Sequence, residues 1–478
     1  MVEEGRKVEF LTPSQSWNTT SPTSSNSRGT GASLAQQANS DATLTCSLAW
    51  LGSSRDAASE ARIKYQLTQP QPAGQNGLNT GPGFSASAPS RSDTNSNPHT
   101  RLSCLQPRLY LRSCTRNRVP MASAIPKWTP APPTTSDLPW ADILTVDLSL
   151  YDSGDRAKLV GTVSTALERD GFFYVTGHGI DQALLDRQFD LAQLAFDAVP
   201  LEEKEEHRAP IAEKGSFMGY KLQKWWEIKD GVRDRIEHYN FYLGHIDPTA
   251  RHPKALRPYV EEVKAFIEES RQKVLRKILS LVDSVLGLQD GHLWSLHQTP
   301  EGLTGDDVFR YMIYDPLTEA ESTITNGVML NGHTDFNSVS ILVSQPIAAL
   351  QVLMPDNVWR YVKHRDGALV INIGDQLSFM SGGVLKGTMH RVVRPPPDQV
   401  HLRRLGVFHF AHFLRGTSLG LLPGEKIRTR GHRVFEEEVP TAEQWEQTRI
   451  KSYGRKELIK GGEYDIEIIA GLQIRHYH

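Results

Sequence analysis

His333-Thr334-Asp335 sets an imidazole and a carboxylate two residues apart, just before the apolar run from Ser338 to Val343. On an extended segment such a pair leaves the backbone on one face, so both groups can reach a common cation. Two other H-x-D triplets occur in the chain, His245/Asp247 and His364/Asp366. The first runs into Pro248 within a polar stretch, which predicts a loop. The second is followed by Gly367, and Asp-Gly between two apolar runs reads as a hairpin turn. Its H-R-D letters lack the Leu and Asn of a phosphotransfer loop, and no Gly-rich loop precedes them. Only the 333/335 pair adjoins a strong strand pattern.

A third candidate is His390 in GTMHRVV, where Thr388, His390 and Val392 fall on one face of an expected strand. A lone histidine there would read as a core residue, but beside the other two it completes a set of two imidazoles and one carboxylate. Such a set leaves coordination positions open, which suits iron(II) and oxygen chemistry and differs from a closed structural zinc site. On the next strand pattern, RRLGVFHF, an inward guanidinium would be costly unless an anion met it, so it predicts a bidentate carboxylate ligand. Arg403 and Arg404 both qualify. Alternation favours Arg404, whose face continues through Gly406, Phe408 and Phe410. The cysteines, Cys46, Cys104 and Cys114, are odd in number and lack C-x-x-C spacing, so no disulfide framework or thiolate metal site is expected.

The elements that must position these residues fall into two kinds. A short strand over ILTVDL is followed by a helix from Asp155 to Arg169 with Leu159, Val163 and Leu167 on one face. GFFYV then reads as a strand, and a second helix carries Leu185, Phe189, Ala192 and Phe196. A long third helix carries Val263, Ile267, Ser270, Val274, Ile278, Leu281 and Val285, and ends at Gly287. After Asp307 the pattern turns to short strands: VFRYMIY, SVSILVS, LQVLM, ALVINI, GTMHRVV and LGVFHFAHF. Residues 1–135 are rich in Ser, Thr, Asn, Gln, Gly and Pro without helical or strand period, and are expected to form a disordered low-complexity tail. The expected divisions are therefore this tail, an N-terminal α/β region over 141–300, a β domain over 301–420, and a C-terminal extension with a helix over 421–478.

Composition excludes several classes. With 53 Lys+Arg against 55 Asp+Glu the net charge is −2, so no basic field is available for nucleic acid. No run of eighteen apolar residues suggests a membrane span, and MVEEGRKVEF puts acids where a secretory signal has a basic start, so export is not expected. A cytoplasmic, monomeric protein acting on a small molecule is expected.

Over about Ala141 to Gly416 the chain resembles the iron(II)- and 2-oxoglutarate-dependent dioxygenases, the family of plant flavonoid and gibberellin oxidases and isopenicillin N synthase. The segments that carry the likeness are VDLS, DGFFYVTGHGI and VPLEEKEEHR in the first half. In the second half they are GHTDFNSVSILV, GALVINIGDQLSFMSGG and the K-G-T-M-H-R-V stretch. The resemblance implies a mainly β fold with flanking helices, built on a double-stranded β-helix (jelly-roll) core. It implies iron(II) on His333, Asp335 and His390, and 2-oxoglutarate held at its far carboxylate by Arg404 and Tyr314, with O2 as the other co-substrate. A small organic metabolite would be hydroxylated or desaturated, with release of succinate and CO2. The chain departs from the family at Gly406, where a hydroxyl residue usually follows the arginine, at Met312 in place of an Asn, and in a longer spacing from His390 to Arg404. A 2-oxoglutarate-independent iron oxidase and a non-catalytic binding module on the same fold are the alternatives. The aromatic run before the long helix suggests Tyr220 and Trp225 as substrate contacts, and Phe336 is a third candidate.

Overall fold

The computed structural model describes residues 125–246, 251–299, 307–435 and 438–453, Gly302, Gly305 and Ile459, and the backbone of strands at 464–469 and 472–477. In chain order the strands are β1 Thr145–Asp147, β2 Phe172–Thr176, β3 Gly219–Lys221, β4 Glu227–Lys229, β5 Val232–Arg233, β6 Ile236–Tyr242, β7 Val308–Tyr314 and β8 Val328–His333. They continue as β9 Val339–Val343, β10 Leu350–Leu353, β11 Trp359–Tyr361, β12 Leu369–Ile373, β13 His390–Val393, β14 Arg404–Ala411, β15 Tyr464–Ile469 and β16 Leu472–Tyr477. Eight of them form one sheet in the order β1-β2-β12-β9-β14-β7-β6-β3, and four form a second, β11-β10-β13-β8.

Strand alternation decides what each face of the large sheet meets. On β7, Val308, Met312 and Tyr314 face the small sheet, where Leu330, Leu350 and Val392 complete that core. The intervening Phe309, Tyr311 and Ile313 face the helices, among Phe189, Phe266 and Ile278. The sheet is therefore buried on both sides, as its continuous β-rich runs require. The jelly-roll core flanked by helices matches the expected architecture.

The helices end where their sequences dictate. Arg156–Arg169 buries Leu159, Val163 and Leu167, and Gln182–Asp197 is capped by Asp181, whose side chain accepts from the Ala183 amide at 3.0 Å. The long helix runs Val260–Ser270 and Arg276–Leu286 through a π-helical segment, Arg271–Leu275, and stops at Gly287 in the left-handed conformation, φ 69°. Arg271, buried in the π segment, pairs with Asp307, which also accepts from the His412 amide at 2.8 Å and so ties the start of β7 to the end of β14. A further helix, Ala442–Ser452, opens with a capping box of Thr441 and Gln444.

Two sequence expectations change. The first strand is only Thr145–Asp147, because Leu148–Leu150 turns into a 3-10 helix capped by the Asp147 side chain. The low-complexity tail was expected to reach residue 135, but the chain is packed from Ile125 onward. Trp128 stacks on Phe189 at 4.2 Å and donates its amide to Asp190, while Thr134 and Thr135 donate to Asp398. The prolines between these contacts lower the entropy lost on ordering, which composition alone does not reveal. Residues 1–124, with all three cysteines, lie outside the described residues. Among the described residues no helix is long and apolar enough to cross a membrane.

Candidate active site

β8 ends on His333 and β13 begins on His390, and the two are direct cross-strand partners. Their rings lie 4.4 Å apart between centroids. Asp335 follows just beyond the end of β8, and its Oδ1 stands 3.9 Å from His333 Nε2 and 3.6 Å from His390 Nε2. One ligand atom from each of the three lies within 4.8 Å of the others, the only such group of His, Cys, Asp or Glu among the described residues.

The surroundings aim these atoms inward. His333 Nδ1 donates to the Asn331 carbonyl at 2.9 Å, and His390 Nδ1 to the Thr388 carbonyl at 3.1 Å. A carbonyl can only accept, so each Nδ1 carries a proton and the Nε2 atoms are the ones turned toward Asp335. Asp335 Oδ2 accepts from Ser340 Oγ at 2.6 Å and Asn372 Nδ2 at 2.8 Å, which leaves Oδ1 toward the imidazoles. Burial, then the neighbouring His390, holds His333 down to about 3, so its imidazole is neutral at physiological pH. Burial alone would raise Asp335, but the two imidazoles and the hydrogen bonds from Asn372 and Ser340 outweigh it and keep it ionised. Gly171, at φ 67°, lets the chain before His390 approach: a Cβ there would strike the Lys386 carbonyl and the Thr388 hydroxyl. That hydroxyl donates to the Asp170 carbonyl at 2.6 Å.

The triad opens into a cavity between the two sheets, lined by Arg310, Met312, Tyr314, Arg404, Phe408 and Phe410 from the large sheet. Arg404 and Tyr314 are register partners, and the Arg404 Cζ lies 5.3 Å from the Tyr314 ring centroid. Arg404 Nε and Nη1 are buried without a hydrogen-bond partner. Arg403 points the other way, pairing at the surface with Asp197 at 2.7 Å and Asp315 at 2.9 Å. Alternation thus decides between the two arginines in favour of Arg404.

The aromatic expectations divide. Phe336 lines the cavity. Tyr220 does not: it is fully buried on the helix side, donates to the Ala195 carbonyl at 2.8 Å and packs on Tyr239. Trp225 borders a separate surface groove with Leu201 and Glu205, while the next residue, Trp226, turns into the cavity. The offset arises at the turn before β4, where Lys224 adopts φ 64°. Glu446 and Ile450, on the helix Ala442–Ser452, and Tyr453, which caps it, also line the cavity and had no sequence signal. Tyr453 meets His333 at 5.8 Å and Trp226 at 5.1 Å, edge to face, and so covers one side of the triad. His245 ends a short 3-10 helix, its partner Asp247 lies outside the described residues, and His364 pairs locally with Asp366.

The profile of the 2OG-Fe(II) oxygenase superfamily matches residues 306–412, and that of the non-haem dioxygenase in morphine synthesis N-terminal region matches 143–259. Flavanone 3-dioxygenase 2 of Oryza sativa subsp. japonica is 32% identical over 254 residues, which cover 53% of this chain and 69% of that protein. The chain belongs to the 2OG-Fe(II) oxygenase superfamily. Flavonol synthase 1 of Crocosmia x crocosmiiflora is 29% identical over 269 residues, 54% of this chain and 73% of that one. A crystal structure of a 2OG-Fe(II) oxygenase family protein from Caulobacter crescentus superposes with a TM-score of 0.54 at 26% identity, covering 65% of this chain and 99% of the other. The protein is a 2-oxoglutarate-dependent dioxygenase, an oxidoreductase that requires iron(II), 2-oxoglutarate and O2.

Proposed function

We propose that His333, Asp335 and His390 hold the iron, that Arg404 with Tyr314 anchors 2-oxoglutarate, and that the enzyme hydroxylates or desaturates a small organic metabolite of secondary metabolism. The donor set fits the ion: two imidazoles and a carboxylate converge from one side and leave the other side to the cavity. Iron(II), once bound, supplies the oxidising chemistry with O2 and 2-oxoglutarate, which leaves as succinate and CO2.

The observation that carries the co-substrate assignment is the state of Arg404. A guanidinium with two buried, unpartnered nitrogens in a cavity whose walls include Met312, Leu330 and Phe408 is costly, and a carboxylate would satisfy it bidentately. Tyr314 backs the cation with its ring, and its hydroxyl, which meets only the Met312 sulfur at 3.4 Å, is available to the same carboxylate. That pairing weighs against the oxidase that uses no 2-oxoglutarate. The intact triad weighs against a non-catalytic module.

The remaining residues position and exclude. Ser340 and Asn372 hold the Asp335 carboxylate by one oxygen, so its other oxygen keeps a fixed direction. Tyr453, Ile450 and Trp226 close apolar surface over the triad and keep water from the reacting carbon. The relatives named for flavonoid substrates support a ring-bearing small molecule. Purified protein supplied with iron(II) should convert 2-oxoglutarate to succinate, slowly without substrate, and His333→Ala should end it. Iron binding with no succinate under any substrate screen would overturn the assignment.

A further inference from the structure

The cavity holds a second, half-buried cation that the co-substrate does not use. Arg310 lies on β7 four residues before Tyr314, on the same inward face. Its Nε donates to Asn240 Oδ1 at 2.6 Å, and Asn240 is itself fixed by donating to the carbonyls of Phe217 and Gly219 at 2.7 and 3.2 Å. The rings of Phe217 and Phe410 stand 5.2 and 4.9 Å from its Cζ. The guanidinium is thus fixed on three sides. Its two Nη nitrogens are left to the cavity, and no acid among the described residues pairs with it.

The other charges nearby are committed. Glu446, the acid that lines the cavity besides Asp335, lies against His412 at 3.6 Å. Burial pulls Arg310 down only to about 10, so it stays charged at neutral pH. An unpaired cation between two phenyl rings is held at a cost that a bound anion would remove. Arg404 stands opposite Tyr314 and Arg310 opposite Phe408 in the same ladder, four residues apart along the strand. At a rise of roughly 3.3 Å per residue their positions along the ladder are about 13 Å apart. A co-substrate anchored at Arg404 therefore leaves Arg310 to a different anion.

We infer that Arg310 determines substrate specificity: it receives the carboxylate of a small organic acid whose ring-bearing apolar body lies against Phe408, Phe217 and Trp226. The inference rests on the dioxygenase reading above and names its substrate class. A carboxylate is favoured because two Nη donors form a fork that matches two oxygens, whereas a phosphate dianion would need a second cation, and the next one is taken by 2-oxoglutarate. A ring is favoured because the walls are aromatic: Phe408 stacks on Phe410 at 5.6 Å, and Phe217 meets Trp226 edge to face at 6.2 Å.

The test uses the full chain loaded with iron(II) without oxygen. Calorimetry first measures 2-oxoglutarate binding, then, at saturating 2-oxoglutarate, titrates 3-phenylpropanoate and its neutral isostere 3-phenylpropanamide. The acid should bind at least tenfold more tightly than the amide. Arg310→Gln should erase that preference and Arg310→Lys should keep part of it, with 2-oxoglutarate affinity within twofold and an unchanged unfolding temperature in both. Equal affinity for acid and amide in the wild type, no binding of either at millimolar concentration, or a preference that survives Arg310→Gln would overturn the inference alone. Failure of the wild type to bind 2-oxoglutarate would overturn the underlying reading and this inference with it.

Discussion

Arg404 and Tyr314 face one another across the β7–β14 ladder, guanidinium over ring at 5.3 Å, with two nitrogens of the cation buried and unmatched. The neighbouring Arg403 is half exposed and spends its charge on Asp197 and Asp315. One residue of register separates the proposed ligand anchor from a surface ion pair.

Arg404→Gln should therefore raise the KM for 2-oxoglutarate about a hundredfold, the order expected on truncating one partner of a buried charge pair, and leave iron affinity unchanged. Arg403→Gln should change that KM less than twofold, since exposed pairs contribute little. Steady-state kinetics on both variants decides between them. Equal effects would mean that the anchor is misassigned.

Asn372 holds Asp335 Oδ2 at 2.8 Å from a neighbouring strand. Asn372→Ala should weaken iron(II) binding by about tenfold to a hundredfold, the usual consequence of removing a partner that orients a metal ligand. Competition against a chelator of known affinity measures it. Unchanged affinity would show that Ser340 alone suffices.

His297 is buried beneath the end of β14, donating from Nδ1 to the Leu293 carbonyl and hydrogen-bonded at Nε2 to the Ser338 hydroxyl at 2.7 Å. Burial pushes it down to about 4. The unfolded chain then binds more protons than the folded one between about pH 4 and 6.5, so this residue's contribution is present above 6.5 and is lost as pH falls through that window. The shift corresponds to about 3 kcal/mol. Urea unfolding from pH 4 to 7 should show stability rising with pH, and His297→Gln should flatten the rise. Parallel curves for the two proteins would contradict the assignment.

What the sequence made legible were features whose cause is local. His333, Asp335 and the β9 run sit within a dozen residues, and alternation along β14 favoured Arg404, with Phe408 and Phe410, as the inward side chain while leaving Arg403 open. The long helix was readable because its apolar stripe, broken only at Ser270, runs on to Gly287. Tyr220 and Trp225 were misplaced because an aromatic side chain suits a core and a pocket equally. Only the register of β3 on β6 and the turn at Lys224 show which way each points. Glu446, Ile450 and Tyr453 were invisible because their helix buries both polar and apolar residues, and its place over the cavity depends on long-range packing. Arg310 was passed over because its significance lies in the acid it lacks, and no spacing rule reports a missing partner.

Iron stoichiometry and affinity in the wild type and in His333→Ala, Asp335→Ala and His390→Ala, after anaerobic equilibrium dialysis and with unfolding temperature as a control, tests the metal site most directly. One iron(II) per wild-type chain and at least tenfold weaker binding in every folded variant is the predicted result. Any one of the three variants retaining iron as tightly as the wild type would contradict it.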